Sequence, residues 1–187
     1  EYAPIFFKQA KYTLLDQNTF WLCEKPDSVG MVGWDAALTR IATWAKLQDK
    51  KTGQILMVVN THFDHIGTEA RRNSALLIIE KIKEIVGTSP AILTGDFNVS
   101  EDWDAYKTIT NNEFILKDAH KVAGKRTGVD FTYHNFGKIP AEKCEKIDFI
   151  FVTPQIRVIS SYIPFSQLND TLFLSDHNPE IVELEIK

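Results

Sequence analysis

The apolar stretches of this chain are short, none longer than five residues, and most stop in a tight cluster of Asp, Asn and His. Ile55-Leu56-Met57-Val58-Val59 gives way to Asn60-Thr61-His62-Phe63-Asp64-His65, and Ala91-Ile92-Leu93-Thr94 to Gly95-Asp96-Phe97-Asn98. Leu174-Ser175-Asp176-His177-Asn178-Pro179 stands directly before the last apolar segment, and Asp148 interrupts Ile147-Asp148-Phe149-Ile150-Phe151-Val152. Runs of this length suit buried strands bounded by loops, and none can cross a bilayer as a helix. The chain must therefore fold around short strands whose ends carry most of its chemistry.

The remaining pattern agrees. Residues 40–48 alternate with period two, residues 50–53 read as a hairpin turn, and residues 54–60 as a buried strand. Further strands are expected at residues 3–7, 12–15, 19–22, 91–94, 131–134, 146–152, 158–163 and 180–186, with a loop over residues 24–35 punctuated by Pro26, Gly30 and Gly33. One clear helix is expected over residues 68–86, capped by Thr68 and stopped by Gly87, with Ala75, Leu76, Ile79, Ile82 and Val86 on one face. A second is expected over residues 101–109, capped by Ser100. Strands outnumber helices, which points to an α/β (α+β) fold of stacked sheets with helices outside. At 187 residues without linker or repeat, residues 1–187 read as a single domain.

Charge narrows the partners. With 21 Lys+Arg against 25 Asp+Glu the net charge is −4, so no global positive field attracts a polyanion. Arg71, Arg72, Lys81 and Lys83 are interspersed with Glu69, Glu80 and Glu84, as on a solvated helix face; Lys121, Lys125 and Arg126 form a second small group. Cys23 and Cys144 read as two unrelated free thiols, a single disulfide being the alternative. The first residues lack the basic and apolar regions of a signal peptide. The chain begins with Glu1 rather than Met, so Glu1 is expected to follow processing, truncation or unseen residues.

Taken singly, the polar clusters have ordinary readings: Gly-Asp-Phe-Asn as a turn, Ser-Asp-His as a solvated loop, His62 as a core histidine, and Asp64 and His65 as either structural or functional. His120 and His134 carry no supporting pattern and are expected to be structural or surface residues. Asp148 is different, because an apolar strand gains nothing from a lone carboxylate, which is costly to bury unpaired. A shared site explains the clusters together, since oxygen-rich groups with one or two carboxylates suit Mg²⁺ or Mn²⁺.

The ordered set Asn60-Thr61-His62, Gly95-Asp96-Phe97-Asn98, Ile147-Asp148-Phe149 and Ser175-Asp176-His177 resembles the endonuclease/exonuclease/phosphatase superfamily across essentially the whole chain. Trp34-Asp35-Ala36-Ala37-Leu38-Thr39-Arg40 is similar to its bacterial branch. The resemblance implies a two-sheet β-sandwich, four-layer with helices on both outer faces, and metal-dependent phosphoester hydrolysis by in-line attack of water. It makes Asp96 the residue that orients or deprotonates the water, with Asn98 holding water and phosphate. His177 becomes the phosphate-binding histidine partnered by Asp148, and His62 a second histidine on the phosphate or leaving group. Asp176 and Asp96 become metal positions, and Arg40 either a phosphate contact or a support for its loop. The implied cofactor is Mg²⁺ (or Mn²⁺), and the implied partner is a phosphoester: a small molecule, a lipid head group or a nucleic acid.

Two motifs of that family, a strand ending in Asn and another ending in Gln-Glu, have no counterpart here. The resemblance thus implies that the N-terminal strands of the first sheet are missing, with open edges covered by association or by a separate N-terminal piece, or else a marginally stable fold. Two functions compete: a divalent-metal phosphohydrolase, and a non-catalytic or truncated inactive module that keeps the fold and binds phosphate or a partner. Retention of Asp96, Asn98, Asp148, Asp176 and His177 together favours the enzyme.

Overall fold

The computed structural model describes residues 2–87, 89–112, 114, 116–169 and 172–186; Glu1 lies outside them. The elements in chain order are β1 (Tyr12–Trp21), β2 (Ile41–Asp49), β3 (Ile55–His62), α1 (Thr68–Val86), β4 (Ala91–Asp96), α2 (Asp104–Thr110), β5 (Lys117–Asp118), α3 (Ala119–Val122) and β6 (Lys125–Gly128). They continue with β7 (Asp148–Val152), β8 (Ile156–Ile163), β9 (Gln167–Asn169), β10 (Leu172–Phe173) and β11 (Ile181–Ile186). A six-stranded sheet has the order β1-β2-β3-β4-β7-β5 and a three-stranded sheet the order β11-β8-β6; β9 and β10 form a separate hairpin. This is the expected mixed α/β sandwich of two sheets.

Alternation divides the larger sheet. Val59, Leu93, Phe149 and Phe151 pack under α1 and α2 with Ile78, Ile82 and Ile109. Leu56, Val58, Ile92, Ile150 and Val152 face Val158, Val182 and Leu184 of the smaller sheet. The helix-side core is organised around Phe97, fully buried, which meets Phe63, Phe149 and Phe151 edge-on at 4.9, 6.1 and 5.2 Å. Such aromatic pairs add to the stabilisation from area burial alone.

Several expectations need correction. Residues 3–7 form no strand, and residues 12–15 and 19–22 are one strand, β1, bulged between Leu14 and Asp16. Residues 131–134 form only an isolated bridge, in which Tyr133 pairs with Glu145 and His177. Among the described residues α1 and α2 lie against the larger sheet, while Arg157, Ile159 and Tyr162 on the outward side of β8 are exposed. Helix α1 begins at Thr68, but its capping group is remote in sequence. Asp35 accepts from the Ala70 and Glu69 N–H groups at 2.6 and 3.2 Å, which holds its carboxyl below the usual range. Helix α2 starts at Asp104, while Ser100 instead donates to Glu145 at 2.9 Å. Cys23 is buried, Cys144 half-buried, and both are free.

Because Phe97 is the shared neighbour of three rings, Phe97→Ala leaves a cavity that its surroundings cannot fill. Denaturant titration is expected to show a loss of about 3–5 kcal/mol; a loss below about 1 kcal/mol would mean that the cluster is not the keystone of this core.

Candidate active site

Three adjacent strands place one polar row across the larger sheet. Parallel pairing of β3 with β4 sets His62 beside Asp96, and antiparallel pairing of β4 with β7 sets Asp96 opposite Asp148. By alternation these residues share the face of Val58, Ile92 and Ile150, the face that meets the second sheet. The space between the sheets is thus apolar along most of its length and turns acidic at one end. There a cavity of about 440 Å³ is lined by Tyr2, His62, Asp96, Asp148 and Glu180.

His177 reaches this row from the segment before β11. Its Nδ1 donates to Asp148 Oδ2 at 2.7 Å, and its Nε2 lies 3.9 Å from Asp96 Oδ2. His62 Nε2 approaches the same oxygen at 3.4 Å. The other oxygen, Asp96 Oδ1, accepts from the Asn98 N–H at 2.9 Å. Asn98 adopts a left-handed φ of 50°, and its side-chain amide donates to the Phe63 carbonyl at 3.0 Å. The site thus joins the ends of β3 and β4 to the start of β7 and the loop before β11.

Charge in this pocket is unbalanced by design of the register. Burial, then the Asp148 carboxylate opposite, push Asp96 up to about 6, against the lowering effects of the Asn98 N–H, His177 and Arg40. For His177, burial favours the neutral ring, but the hydrogen bond and charge of Asp148, with Asp96 and Asp176 behind, raise its pKa overall. One ligand atom each from Asp96, Asp148 and His177 lie within 4.8 Å of one another, the only such metal-capable group among the described residues. Two carboxylates with room for water and substrate oxygens fit a hard divalent ion, whose charge would relieve their repulsion.

The other candidates fall around this centre. Asp176 is outside the metal-capable group; its Oδ1 accepts from Ser175 Oγ at 3.3 Å and its carbonyl from the His134 N–H at 3.0 Å. Arg40 is buried, with Nε 3.5 Å from Asp64 Oδ1 and a terminal nitrogen 3.1 Å from His65 Nδ1. Asp64 binds its own loop: burial alone would raise its pKa, but N–H groups of Gly67, Ile66, Ala37 and Leu38 hold it far below the usual range. His120 and His134 are both buried, the first 2.9 Å from Ser161 Oγ and the second among Phe131, Phe165 and Phe173.

Sequence reasoning missed four residues that support the pair His177–Asp148. Thr132 Oγ1 accepts from the N–H groups of Ile147 and Asp148, both at 3.0 Å, while its carbonyl accepts from the Asn178 N–H at 2.6 Å. The Tyr133 ring lies 5.0 Å from that of His177. Lys146 and Glu180 form a buried ion pair beneath them at 2.9 Å. The Thr-Tyr-His run and the lysine before Ile147-Asp148 carried no signal that separates them from strand termini.

A model of the endonuclease/exonuclease/phosphatase family matches residues 6–177, so the chain belongs to that family, whose members are phosphoesterases. An endonuclease/exonuclease/phosphatase from Bacteroides vulgatus is 64% identical, with 97% of this chain and 69% of that one covered and a TM-score of 0.93. A mannosyl-6-phosphatase from Bacteroides thetaiotaomicron is 34% identical over 96% of this chain and 69% of its own, with a TM-score of 0.87. An uncharacterised protein of Acanthamoeba polyphaga mimivirus is 30% identical over 175 residues; the match covers 88% of this chain but 63% of that protein's length.

The raised Asp96 makes a pH prediction. Its folded-state pKa exceeds the unfolded one, so the folded chain holds an extra proton between the two, and stability falls as pH rises towards about 6. Asp96→Asn, without added metal, is expected to raise Tm by roughly 2–4 °C near neutral pH and to lose that advantage below about pH 4. Thermal melts across this range check it; a variant less stable than the wild type at neutral pH contradicts the repulsion.

Proposed function

We propose that this protein is a divalent-cation-dependent phosphoester hydrolase acting on small phosphate esters, with sugar phosphates as the leading substrate class. The observation that carries the reading is the convergence of His62 and His177 on Asp96 Oδ2, with Asp148 holding His177 from behind. The resemblance of the motifs, family membership and the 34% identity to a mannosyl-6-phosphatase support it. The net charge of −4 favours a small ester over a polynucleotide.

The residues divide the work. Asp96, whose pKa burial and Asp148 raise to about 6 while no cation is bound, orients the attacking water or takes its proton. The Asn98 N–H fixes one carboxylate oxygen, leaving Oδ2 towards the cavity. His177, whose proton affinity Asp148 raises against the effect of burial, donates from Nε2 to an equatorial phosphoryl oxygen, where charge grows in the transition state. His62, across the same oxygen, contacts the phosphate or protonates the leaving group. Arg40 adds a fixed positive charge behind Asp96 while Asp64 holds it in place. Asp96 and Asp148 would hold Mg²⁺ or Mn²⁺, which when bound polarises a phosphoryl oxygen and offsets the substrate's charge.

The test is turnover of p-nitrophenyl phosphate, bis-p-nitrophenyl phosphate and mannose 6-phosphate by the native-length polypeptide, with Mg²⁺ or Mn²⁺ and with a chelator. Expected are cation-dependent hydrolysis and a loss of about 10²–10⁴-fold in kcat/KM for Asp96→Asn and His177→Ala. Absence of turnover on all three supports instead a binding module that retains the fold, and full activity in Asp96→Asn would remove Asp96 from the role assigned to it. A steep salt dependence of polynucleotide cleavage would move the substrate to nucleic acid.

A further inference from the structure

The pair His177–Asp148 joins β7 of the larger sheet to the segment that leads into β11 of the smaller one, so its 2.7 Å hydrogen bond requires the two to hold one spacing at this end. A second charged pair spans the same gap one layer deeper. Lys146, two residues before Asp148, reaches Glu180, three residues after His177, at 2.9 Å, with side chains only 7% and 2% exposed. We propose that Lys146 and Glu180 are positioning residues, a buried brace that fixes the separation and orientation of His177 and Asp148 for the reaction described above.

Lys146 is tied to the dyad directly. Its Nζ donates to the Asp148 carbonyl at 2.8 Å and lies 3.9 Å from the centroid of the Phe149 ring. One ammonium group thus grips the backbone of Asp148, the face of the next residue and a carboxylate of the residue just before β11. Glu180 is held in turn: Ser161 Oγ, on β8, donates to it at 3.3 Å, and the same hydroxyl lies 2.9 Å from His120 Nδ1. Asp118 anchors that histidine by accepting its backbone N–H at 2.9 Å, and takes the Tyr106 hydroxyl at 3.0 Å. The brace therefore runs from helix α2 through β5, α3 and β8 to the base of the catalytic pair. Thr132, which binds the backbone of both Asp148 and Asn178, closes the frame from the other side.

Energetics favours a geometric role. A buried ion pair is weak evidence for stability, because desolvating two charges offsets most of their attraction, and an apolar pair of similar volume often serves a fold as well. What the charged pair adds is directional: Lys146 has three donors, and the ion pair and the Asp148 carbonyl define two of their directions. An apolar substitute would fill the space without aiming anything. Small misplacement of a catalytic group is enough to matter, since rate depends steeply on alignment.

This inference rests on the phosphohydrolase reading for its kinetic test but not for its structural one. In Lys146→Met/Glu180→Leu the midpoint of unfolding is expected near that of the wild type, while kcat falls roughly 10-fold or more and KM changes by less than about twofold. In parallel, the low-field proton resonance of the His177 Nδ1–H···Asp148 hydrogen bond, assigned by its loss in His177→Ala, is expected to broaden or move upfield in the double variant. Unchanged kcat with an unchanged resonance overturns the proposal. If the double variant does not fold, Glu180→Met, which keeps the side-chain length but offers Lys146 and Ser161 no acceptor, is measured well below its own unfolding transition; undiminished kcat there is equally fatal. If the wild type hydrolyses no phosphoester, the functional reading fails, and the resonance alone decides whether the brace holds the dyad.

Discussion

Two carboxylates, Asp96 and Asp148, stand directly opposite each other on neighbouring antiparallel strands, and the site follows from what that costs. Like charges at such positions repel, the more so in a half-buried cleft where water cannot screen them well. The register that creates the conflict also sets its remedies. It places His62 on the third strand of the same row, and it points Asp148 towards the second sheet, where His177 meets it. A slip of one residue in β4 would turn Asp96 towards the helices and away from His62 and His177.

Each compensation around the row is local and incomplete. Asp148 receives a full hydrogen bond from His177, whereas Asp96 receives one backbone N–H and two imidazoles at longer range. Positive charge from Arg40 helps, but Asp64 and His65 engage it at the same time. Burial first, and then the repulsion from Asp148 that is left over, give Asp96 an elevated affinity for protons. A base must want a proton moderately, so under the proposed reaction the same imbalance that weakens the fold would prepare the group for chemistry.

Much of this was legible in the chain. The buried runs of β3 and β4 end in polar clusters, and a carboxylate inside Ile147-Asp148-Phe149 had no structural use, so the centre of the site emerged from strand patterning and motif order. The supports were not legible, for physical reasons. Lys146 and Glu180 each precede a strand, where charge is ordinary, and only the sheet-to-sheet packing brings them together. Asp35 caps α1 from more than 30 residues away, which no local capping rule anticipates. The Thr132–Tyr133 segment alternates like a strand, yet its polar groups are spent on Ile147, Asp148, Glu145 and Asn178 rather than on a ladder. Coverage of the outer sheet likewise depends on packing, because the alternation of β8 does not say what lies over its exposed side.

Gly95 shows how closely packing and chemistry are coupled. It lies in the row next to the polar one, pairing with Thr61 on one side and Phe149 on the other, on the face turned towards α1 and α2. A Cβ there would sit 2.2 Å from the Thr61 carbonyl oxygen, so any side chain would have to push β3 and β4 apart. His62 and Asp96 are the next residues along those strands, and their 3.4 Å approach depends on the same spacing. A hydrogen atom in place of a methyl group on the helix side of the sheet therefore sets the His62–Asp96 distance on the other. The Phe97 cluster under that face and the acidic row above it are two sides of one register, which is why the site can be held rigidly without a dedicated scaffold of its own.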